Sequence, residues 1–418
     1  MKSHYDLLVI GGGPPGGALA AKTAAENGLS VCLIEKRPAI GVPLRCAEGG
    51  IGEDMIHEFF DELDTKWVSA QIRQAVIVAP PDNRKVVLDS AVTRKEVGYV
   101  LDRKVFDRDL IAMAAGAGAE IYVKTRAVDA IITDGVVQGA RVWHDGGGEQ
   151  DIYASVVIAA DGVESKFARW CGINSTVPMR ELETCAQYLM TNIDINADET
   201  VIYLGNDIAP GGYVWIFPKG EGTANVGIGI MGSRSGEGCR ARDYLDAFVR
   251  EKFSEGKKME LIMGGVSVCK PPLECTVADG LLIVGDAARL SDPMTGGGIY
   301  HAMYTGRLAA EVATAAIRQE DCSKACLMSY DTTWRNAALG RELARNYRMK
   351  EFFITLDDEV LNAVLNSVKN LQVTEFSVLQ IIREIVKLHP DVRKELTSLI
   401  KYNSKGREEL KSLIKYLQ

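Results

Sequence analysis

The feature that most restricts the fold of this chain is a glycine-rich turn near its beginning, GxGxxG at residues 11–16. It follows the apolar run YDLLVI at residues 5–10, which predicts a short buried parallel strand. The alanine-rich residues 18–27 predict a helix, and Gly28 has the position of the glycine that ends one. A second apolar run at residues 31–35 completes a strand–helix–strand unit.

The same unit has the chemistry of a nucleotide site. Glycines let the backbone approach a pyrophosphate closely, and the N-terminus of the following helix supplies positive potential. Glu35 ends the second strand, where a carboxylate accepts hydrogen bonds from the ribose hydroxyls of an adenosine. The pattern therefore predicts a Rossmann-type dinucleotide-binding domain, but it does not distinguish a nicotinamide from a flavin cofactor.

The composition disfavours several classes of protein. With 48 basic and 56 acidic residues the formal net charge is −8, which argues against general binding of nucleic acid. Nine cysteines are scattered without a regular framework, and a strand begins almost at Met1, so we expect free thiols and a reducing, cytoplasmic location. No apolar run reaches the roughly 18 residues that would predict a membrane-spanning helix.

Two later segments place an aspartate directly after a predicted buried strand. AADG occupies residues 159–162, and GDAA at residues 285–288 is followed by Gly296-Gly297-Gly298. Taken alone, Asp161 and Asp286 are also typical of helix N-caps and turns. Together with the glycine-rich turn, and in this order, they resemble the FAD-dependent group that includes aromatic hydroxylases and geranylgeranyl reductases. The resemblance implies that Asp286 binds the ribityl chain and that the glycine run starts a helix aimed at the flavin ring, where its N-terminus stabilises negative charge.

Two further segments resemble the geranylgeranyl reductase family more closely, in its archaeal phospholipid branch. PLRCAEG occupies residues 43–49, and YVWIFP at residues 213–218 is followed by GIG at residues 227–229. The second segment matches the family pattern Y-x-W-x-F-P and then G-x-G, and the likeness extends over most of residues 1–310. On a strand the three aromatic side chains lie on one face, which suits either an ordinary sheet core or the wall of a pocket for a long apolar chain. The resemblance favours the pocket.

Cys46 and Glu48 are the candidate catalytic residues in the first of these segments. A thiol near a flavin can donate a proton, position the substrate or contact the ring, whereas a free cysteine is most often simply a small buried residue. Glu48 is either a proton source or a structural anchor. Both assignments depend on position and on the family resemblance.

The resemblance also implies which residues line the cofactor. Arg103, in the segment Leu101-Asp102-Arg103, resembles an arginine on the flavin side of the cofactor, and its alternative role is a surface salt bridge. The predicted cofactor-binding residues are Gly11, Gly13, Pro15, Gly16, Glu35, Arg45, Cys46, Ala47, Gly49, Arg103, Ala127, Asp161, Gly162, Asp286, Gly298 and Ile299. The predicted substrate-binding residues are Tyr213, Trp215, Phe217 and Pro293, and no metal site is predicted.

We expect an α/β fold in which a Rossmann-type FAD-binding domain is interleaved with a mostly antiparallel β-sheet substrate domain and followed by C-terminal helices. The FAD-binding domain is predicted at residues 1–70, 95–180 and 270–310, the sheet domain at 71–94 and 181–269, and the helical region at 311–418. Asp134-Gly135 predicts a hairpin turn, and helices are expected over residues 108–119 and from about Gly297.

The resemblance implies an enzyme, an FAD-dependent reductase that saturates isoprenoid C=C bonds of geranylgeranyl phospholipids in membrane lipid biosynthesis. Family members take electrons from NAD(P)H or reduced ferredoxin, and no second GxGxxG unit distinguishes the two here. The alternatives are a flavin-dependent monooxygenase or halogenase on the same fold, a chlorophyll-pathway reductase, and a non-enzymatic prenyl-lipid carrier. Halogenases carry a W-x-W-x-I-P segment where this chain has Tyr213 and Phe217, which favours the reductase.

Two basic segments near the end of the chain are candidates for contact with the isoprenoid lipid or its membrane. Residues 377–418 contain nine Lys or Arg and five Asp or Glu, with apolar residues at helical spacing. Such a helix either rests on anionic lipid at the inner face of the cell membrane or packs on the protein with a solvated charged face. A second group either meets a lipid phosphate or forms an exposed helix face; it comprises Arg341, Arg345, Arg348 and Lys350.

Overall fold

The fold is taken from a computed structural model that describes residues 1–13, 15–45, 47–80, 84–89, 98–179, 182–236, 238–266, 271–359 and 361–362. Cys46 and the basic segment 377–418 lie outside the described residues, so the predictions made for them stay predictions. In the described part of the chain, no helix is both long and apolar enough to cross a membrane.

The first sheet is built on the predicted strand–helix–strand unit. Six of its eight strands follow the order Val277–Ala278 (β17), Leu281–Ile283 (β18), Gly148–Ala159 (β11), His4–Ile10 (β1), Val31–Ile34 (β2) and Glu120–Tyr122 (β8). From β18 to β8 all neighbours are parallel. A hairpin of Thr125–Thr133 (β9) and Val136–His144 (β10) extends β11, and its turn is the predicted Asp134-Gly135, both with positive φ.

The second sheet is antiparallel at all but one of its strand pairs. Its seven strands follow the order Lys257–Val266 (β16), Glu183–Thr191 (β12), Thr223–Met231 (β15), Tyr213–Pro218 (β14), Glu199–Tyr203 (β13), Gln74–Ala79 (β5) and Arg84–Asp89 (β6). Only β13 and β5 pair in parallel. Helix Ala241–Lys252 (α5) packs its apolar side on one face of this sheet and forms a second core there. The predicted α/β fold with a mostly antiparallel second sheet is therefore confirmed.

Smaller elements connect the two sheets. Gly50–Ile51 (β3), Gly98–Leu101 (β7) and Val68–Ile72 (β4) form a three-stranded sheet. The remaining helices are Gly16–Glu26 (α1), Glu53–His57 (α2), Arg103–Gly116 (α3), Lys166–Trp170 (α4), Ile299–Arg318 (α6), Lys324–Asn336 (α7) and Ala338–Phe353 (α8).

Three sequence-based expectations need correction. Helix α3 begins at Arg103, five residues before the expected start, because the Asp102 carboxylate caps it by accepting hydrogen bonds from the N–H groups of Lys104 and Val105. Helix α6 begins at Ile299 rather than at Gly297. On α8, Arg341, Arg345 and Arg348 are exposed as a solvated helix face requires, but Lys350 is buried and forms an ion pair with Glu351.

Helices α1 and α6 cross in direct backbone contact. A Cβ atom added at Gly306 would lie 2.2 Å from the carbonyl oxygen of Gly16, and one added at Gly16 would lie 2.9 Å from that of Ala302. These distances are shorter than van der Waals contact, so the crossing requires glycine at both positions. The contact joins the glycine-rich turn at the beginning of the chain to the segment after Asp286.

The crossing predicts the stability of two matched glycine variants. We expect Gly306→Ala to lower the free energy of unfolding by about 1–3 kcal/mol, because the added methyl group forces the two helices apart. Gly116→Ala is the control, because Gly116 also lies in a helix but its added Cβ would have no neighbour within 4 Å. Alanine there is expected to be neutral or stabilising by up to about 1 kcal/mol. Denaturant titration of both purified variants measures the difference, and equal stabilities would refute the close crossing.

Candidate functional site

The predicted cofactor motifs lie at one edge of the first sheet. The glycine-rich turn follows β1, Glu35 follows β2, Asp161 lies two residues beyond β11, and Asp286 follows β18. These four strands are adjacent and parallel, so their carboxyl ends meet at the same edge. This is the edge at which open α/β sheets bind nucleotides.

The glycine-rich turn leaves space where a side chain would otherwise stand. Gly11 has φ +105°, and a Cβ there would lie 2.5 Å from the carbonyl oxygen of Ala160, so the turn lies against the end of β11. Among the described residues other than its chain neighbours, the Glu35 carboxylate is the only group within 4 Å of a Cβ placed on Gly13, with its Oε2 at 3.9 Å. Glu35 is buried, and its Oε1 accepts a hydrogen bond of 2.8 Å from the N–H of Arg37. Its Oε2 therefore faces the turn.

Asp161 has one carboxylate oxygen in use and one available. Its Oδ2 accepts a hydrogen bond of 3.0 Å from the backbone N–H of Phe167 in α4, which is the structural role open to an aspartate at this position. Its Oδ1 is buried and has no hydrogen-bond partner among the described residues. Burial raises the pKa of Asp161. A buried oxygen without a partner is costly, so this one marks a place for a hydrogen-bond donor from a ligand or water.

Asp286 lies beside the glycine run that precedes α6. Its Oδ1 accepts a hydrogen bond of 2.8 Å from the Ser291 hydroxyl and would lie 3.1 Å from a Cβ on Gly298. Burial raises the pKa of Asp286, and the hydrogen bond from Ser291 and the positive charge of Arg103 oppose that shift. The carboxylate and the N-terminus of α6 therefore lie in direct proximity, while the predicted contact of Asp286 with a ribityl chain stays a prediction.

The intervening loop is organised by Asp292. Its Oδ1 accepts hydrogen bonds of 2.9 Å from the N–H groups of both Met294 and Thr295. Its Oδ2 accepts a hydrogen bond of 2.5 Å from Asn346 of α8. The predicted substrate residue Pro293 is buried in this loop. Asp292 had no motif to identify it, since its role is to hold a turn.

Arg103 is buried rather than a surface residue. Its Nε donates a hydrogen bond of 2.8 Å to Oδ1 of Asp107, one turn further along α3. Burial raises the pKa of Asp107 to about 6; Arg103 opposes the shift and the Glu48 carboxylate adds to it. The predicted salt bridge exists, but it lies inside the protein, close enough to Asp286 to influence its ionisation.

Glu48 connects the segment that precedes β3 to the second sheet. The residue is 4% exposed, has φ 57°, and accepts three hydrogen bonds. The donors are the N–H of Arg103 at 3.0 Å, the Nζ of Lys219 at 3.0 Å and the Nδ2 of Asn225 at 2.7 Å. Sequence reasoning missed Lys219 and Asn225, although Lys219 directly follows the YVWIFP segment and Asn225 lies two residues before GIG.

The three aromatic residues of β14 line the face of the second sheet opposite α5. Trp215 stacks on Phe217 with 6.2 Å between ring centroids, and Tyr213 meets Trp215 edge-on at 5.9 Å. Phe217 faces Gly49, where an added Cβ would lie 3.1 Å from its ring. The Tyr213 hydroxyl donates a hydrogen bond to the carbonyl of Thr295. The aromatic face therefore contacts the loop at Gly49 at one end and the loop at Thr295 at the other.

A glycine in the neighbouring strand determines where the indole of Trp215 lies. Trp215 pairs with Gly227 of β15, and a Cβ on Gly227 would lie 2.3 Å from Cε2 and Cζ2 of the indole. The ring thus crosses over Gly227 and donates a hydrogen bond of 2.8 Å from Nε1 to Oε1 of Gln187 on β12. Gln187 is a further residue that carried no sequence signal. The hydrogen bond satisfies the polar atom of the buried ring.

The remaining predicted site residues are more scattered. Arg45 is exposed and pairs with Glu164 at 3.4 Å, while the carbonyl of Ala47 accepts a hydrogen bond of 3.4 Å from Asn225. Ala127 is half-buried on β9 beside Val142 of β10, and Ile299 is the first residue of α6. Within the described ranges, no cluster of three or more His, Cys, Asp or Glu side chains is arranged to hold a metal ion.

Comparison with known proteins identifies relatives over most of the chain. A family model described as the geranylgeranyl reductase catalytic domain matches residues 181–268, and one described as lycopene cyclase protein matches residues 6–189. A digeranylgeranylglycerophospholipid reductase of Methanosphaerula palustris is 57% identical over 96% of this chain and 98% of its own length.

Two solved structures are also similar. A geranylgeranyl bacteriochlorophyll reductase-like protein from Thermoplasma acidophilum has a TM-score of 0.87 at 40% identity, over 95% of this chain and 99% of its own. A variant of a flavin-dependent brominase has a TM-score of 0.69 at 18% identity, over 93% of this chain and 100% of its own, and so shares the fold. The catalytic-domain match and the identity over nearly the whole chain show that this protein belongs to the geranylgeranyl reductase family, among the digeranylgeranylglycerophospholipid reductases.

Proposed function

We propose that this protein is an FAD-dependent reductase that saturates the C=C bonds of geranylgeranyl chains in a glycerophospholipid. The observation that carries the proposal is the 57% identity over 96% of the chain to a digeranylgeranylglycerophospholipid reductase. The site geometry supports the proposal independently. The nucleotide-type motifs of the first sheet and the aromatic, largely apolar face of β14 both adjoin the loops that contain Gly49 and Thr295. No feature of the site favours the monooxygenase, the halogenase or the carrier over this activity.

The residues present fit FAD. Gly13 leaves room beside the Glu35 carboxylate for an adenosine ribose, and Gly11 brings the turn against the end of β11 for a pyrophosphate. The buried Oδ1 of Asp161 offers an acceptor, and Asp286 beside Gly298 suits a ribityl chain next to the N-terminus of α6. Reduced FAD supplies a hydride when it is bound. The chain would bind and orient that cofactor, and the N-terminus of α6 would stabilise negative charge on a reduced ring beside it.

The aromatic face of β14 is proposed to bind the isoprenoid chain. Tyr213, Trp215 and Phe217 offer ring surface, and the polar ends of Tyr213 and Trp215 are already used in hydrogen bonds. A face of this kind binds a hydrocarbon and excludes water. Water exclusion matters because an isolated alkene is a poor hydride acceptor, and positive charge develops at carbon as a proton arrives.

The proton must come from an acid close to the alkene. We propose Cys46 for this step, on its position within residues 43–49. Glu48 is a weaker candidate, because one ammonium group and two N–H donors already bind its carboxylate oxygens. Glu48 therefore acts as an anchor in this proposal. The electrons come from NAD(P)H or from reduced ferredoxin.

Anaerobic turnover tests the activity. Protein reduced without oxygen is mixed with a digeranylgeranyl phospholipid, and we expect the flavin absorption of the oxidised state to return while the lipid gains two hydrogens per reduced bond by mass spectrometry. Repeating the assay with NADH, NADPH and reduced ferredoxin identifies the donor. A yellow protein that leaves the lipid mass unchanged in every case would contradict the reductase, and an oxygen-dependent product would indicate the monooxygenase or halogenase. A colourless protein would indicate the carrier.

Cys46→Ala tests the proposed proton donor. If the thiol delivers the proton, turnover falls about 100-fold or more, the usual contribution of a positioned acid, while the flavin spectrum is retained. Cys239→Ala is the matched control, because Cys239 is an exposed free cysteine of the sheet domain. A Cys46→Ala protein with wild-type turnover would exclude the catalytic role and leave the reductase itself intact.

Gly227→Ala tests whether the aromatic face binds the substrate. The added methyl group must displace the indole of Trp215 and break its hydrogen bond to Gln187. We expect kcat/KM for the lipid to fall at least tenfold, a loss of about 1.4 kcal/mol in transition-state stabilisation, while flavin absorption is unchanged. Gly236→Ala, at a glycine with no neighbour within 4 Å of an added Cβ, should behave as the wild type. Unchanged kinetics in Gly227→Ala would show that the lipid binds elsewhere.

A further inference from the structure

Resting on the proposed function, we propose that Lys219 and Asn225 are positioning residues of this reductase. Both belong to the second sheet, one directly after β14 and one within β15. They hold the Glu48 carboxylate and, through it, the flavin-side residues 47–49 and Arg103. The reaction requires the flavin half and the aromatic face to be in register, and these two side chains set that register.

The contacts around Glu48 come from three parts of the chain. Oε1 accepts hydrogen bonds from Lys219 Nζ and from the N–H of Arg103, the first residue of α3, both at 3.0 Å. Oε2 accepts a hydrogen bond of 2.7 Å from Asn225, whose amide also donates to the carbonyl of Ala47 at 3.4 Å. Lys219 also donates to the carbonyl of Leu101, at the end of β7, at 3.4 Å. One carboxylate thus connects β14, β15 and the beginning of α3.

Burial makes the charges of this cluster interdependent. The side chain of Lys219 is 12% exposed and that of Glu48 is 4% exposed. Arg103 and Asp107, also buried, form the adjacent pair, so the four formal charges cancel. Removing one member of a buried ion pair leaves the other charge buried without a partner. This lowers the stability of the protein much more than losing an exposed ion pair does.

The backbone conformation of Glu48 explains why side chains of the second sheet are needed to hold it. We call the contacts of Lys219 and Asn225 with Glu48 the clamp. Its φ of 57° lies in the left-handed region, which a residue other than glycine adopts only when its surroundings hold it there. The next residue, Gly49, lies against the ring of Phe217. The clamp therefore places residues 47–49 against the aromatic face. Through its hydrogen bond with the backbone N–H of Arg103, Glu48 also holds this loop beside α3, and the buried side chain of Arg103 influences the ionisation of Asp286.

Lys219→Met tests the clamp. The methionine keeps the length of the side chain and removes its charge, so the Glu48 carboxylate loses its ammonium partner. We expect the Kd for FAD, measured by flavin fluorescence, to rise at least tenfold, and lipid turnover at saturating FAD to fall at least tenfold. Lys257→Met, at an exposed lysine of β16, should match the wild type in both measurements.

A double variant separates positioning through Glu48 from a general loss of packing. In Glu48→Gln/Lys219→Met the buried carboxylate is gone, so we expect the double variant to bind FAD at least threefold more tightly than Lys219→Met alone. The proposal is overturned if Lys219→Met binds FAD and turns over like the wild type, or if the losses of the two single variants simply multiply in the double variant.

Asn225→Ala supplies a second test should Lys219→Met not fold. It removes one neutral donor and no charge, and we expect three- to tenfold weaker FAD binding with turnover lowered in parallel. Wild-type affinity and turnover in that variant would also overturn the proposal. FAD binding is measured without lipid, so the clamp is tested even if the wild-type enzyme reduces none of the lipids offered, an outcome that would refute only the proposed function.

Discussion

The constraint on which this structure depends is the parallel alignment of four adjacent strands, β18, β11, β1 and β2. Parallel strands end at the same edge, so segments far apart in the sequence deliver their polar residues to one place. The contact between Gly16 and Gly306 then brings α1 and α6 together. The motifs of a nucleotide site built in this way need no direct contacts with one another, because the pairing of the strands already aligns them.

Several polar contacts join the second sheet to that edge. Glu48 is bound by Lys219 and Asn225, and Tyr213 donates to the loop that Asp292 organises. Buried ionic groups contribute less to stability than apolar packing of the same volume, but they permit only one arrangement of their partners. A hydride transfer needs a unique distance between donor and acceptor, so specificity of arrangement has a functional value here that added stability would not have.

The cofactor half of the fold could be predicted from sequence because its signals are local. Glycine spacing, an acid at a strand end and an aspartate after an apolar run each report on a few neighbouring residues. Lys219, Asn225 and Gln187 could not be found in this way, since their partners lie on other strands and a single polar residue in a strand has many ordinary explanations. The start of α3 was predicted too late because Asp102 was not recognised as its cap, and burial of Lys350 depends on packing that helical spacing does not describe.

The similarity to a flavin-dependent brominase at 18% identity shows how little the fold itself decides about the reaction. What differs between such enzymes must lie on the face that meets the cofactor. In this chain the proposed substrate face carries rings whose polar atoms are satisfied within the protein: the indole of Trp215 donates to Gln187 and the hydroxyl of Tyr213 donates to Thr295. Ring faces without available polar atoms suit a hydrocarbon chain and offer little to hold water or an anion. Gly227 allows this arrangement by leaving room for the indole beside β15, so a residue without a side chain determines where the ring of Trp215 lies.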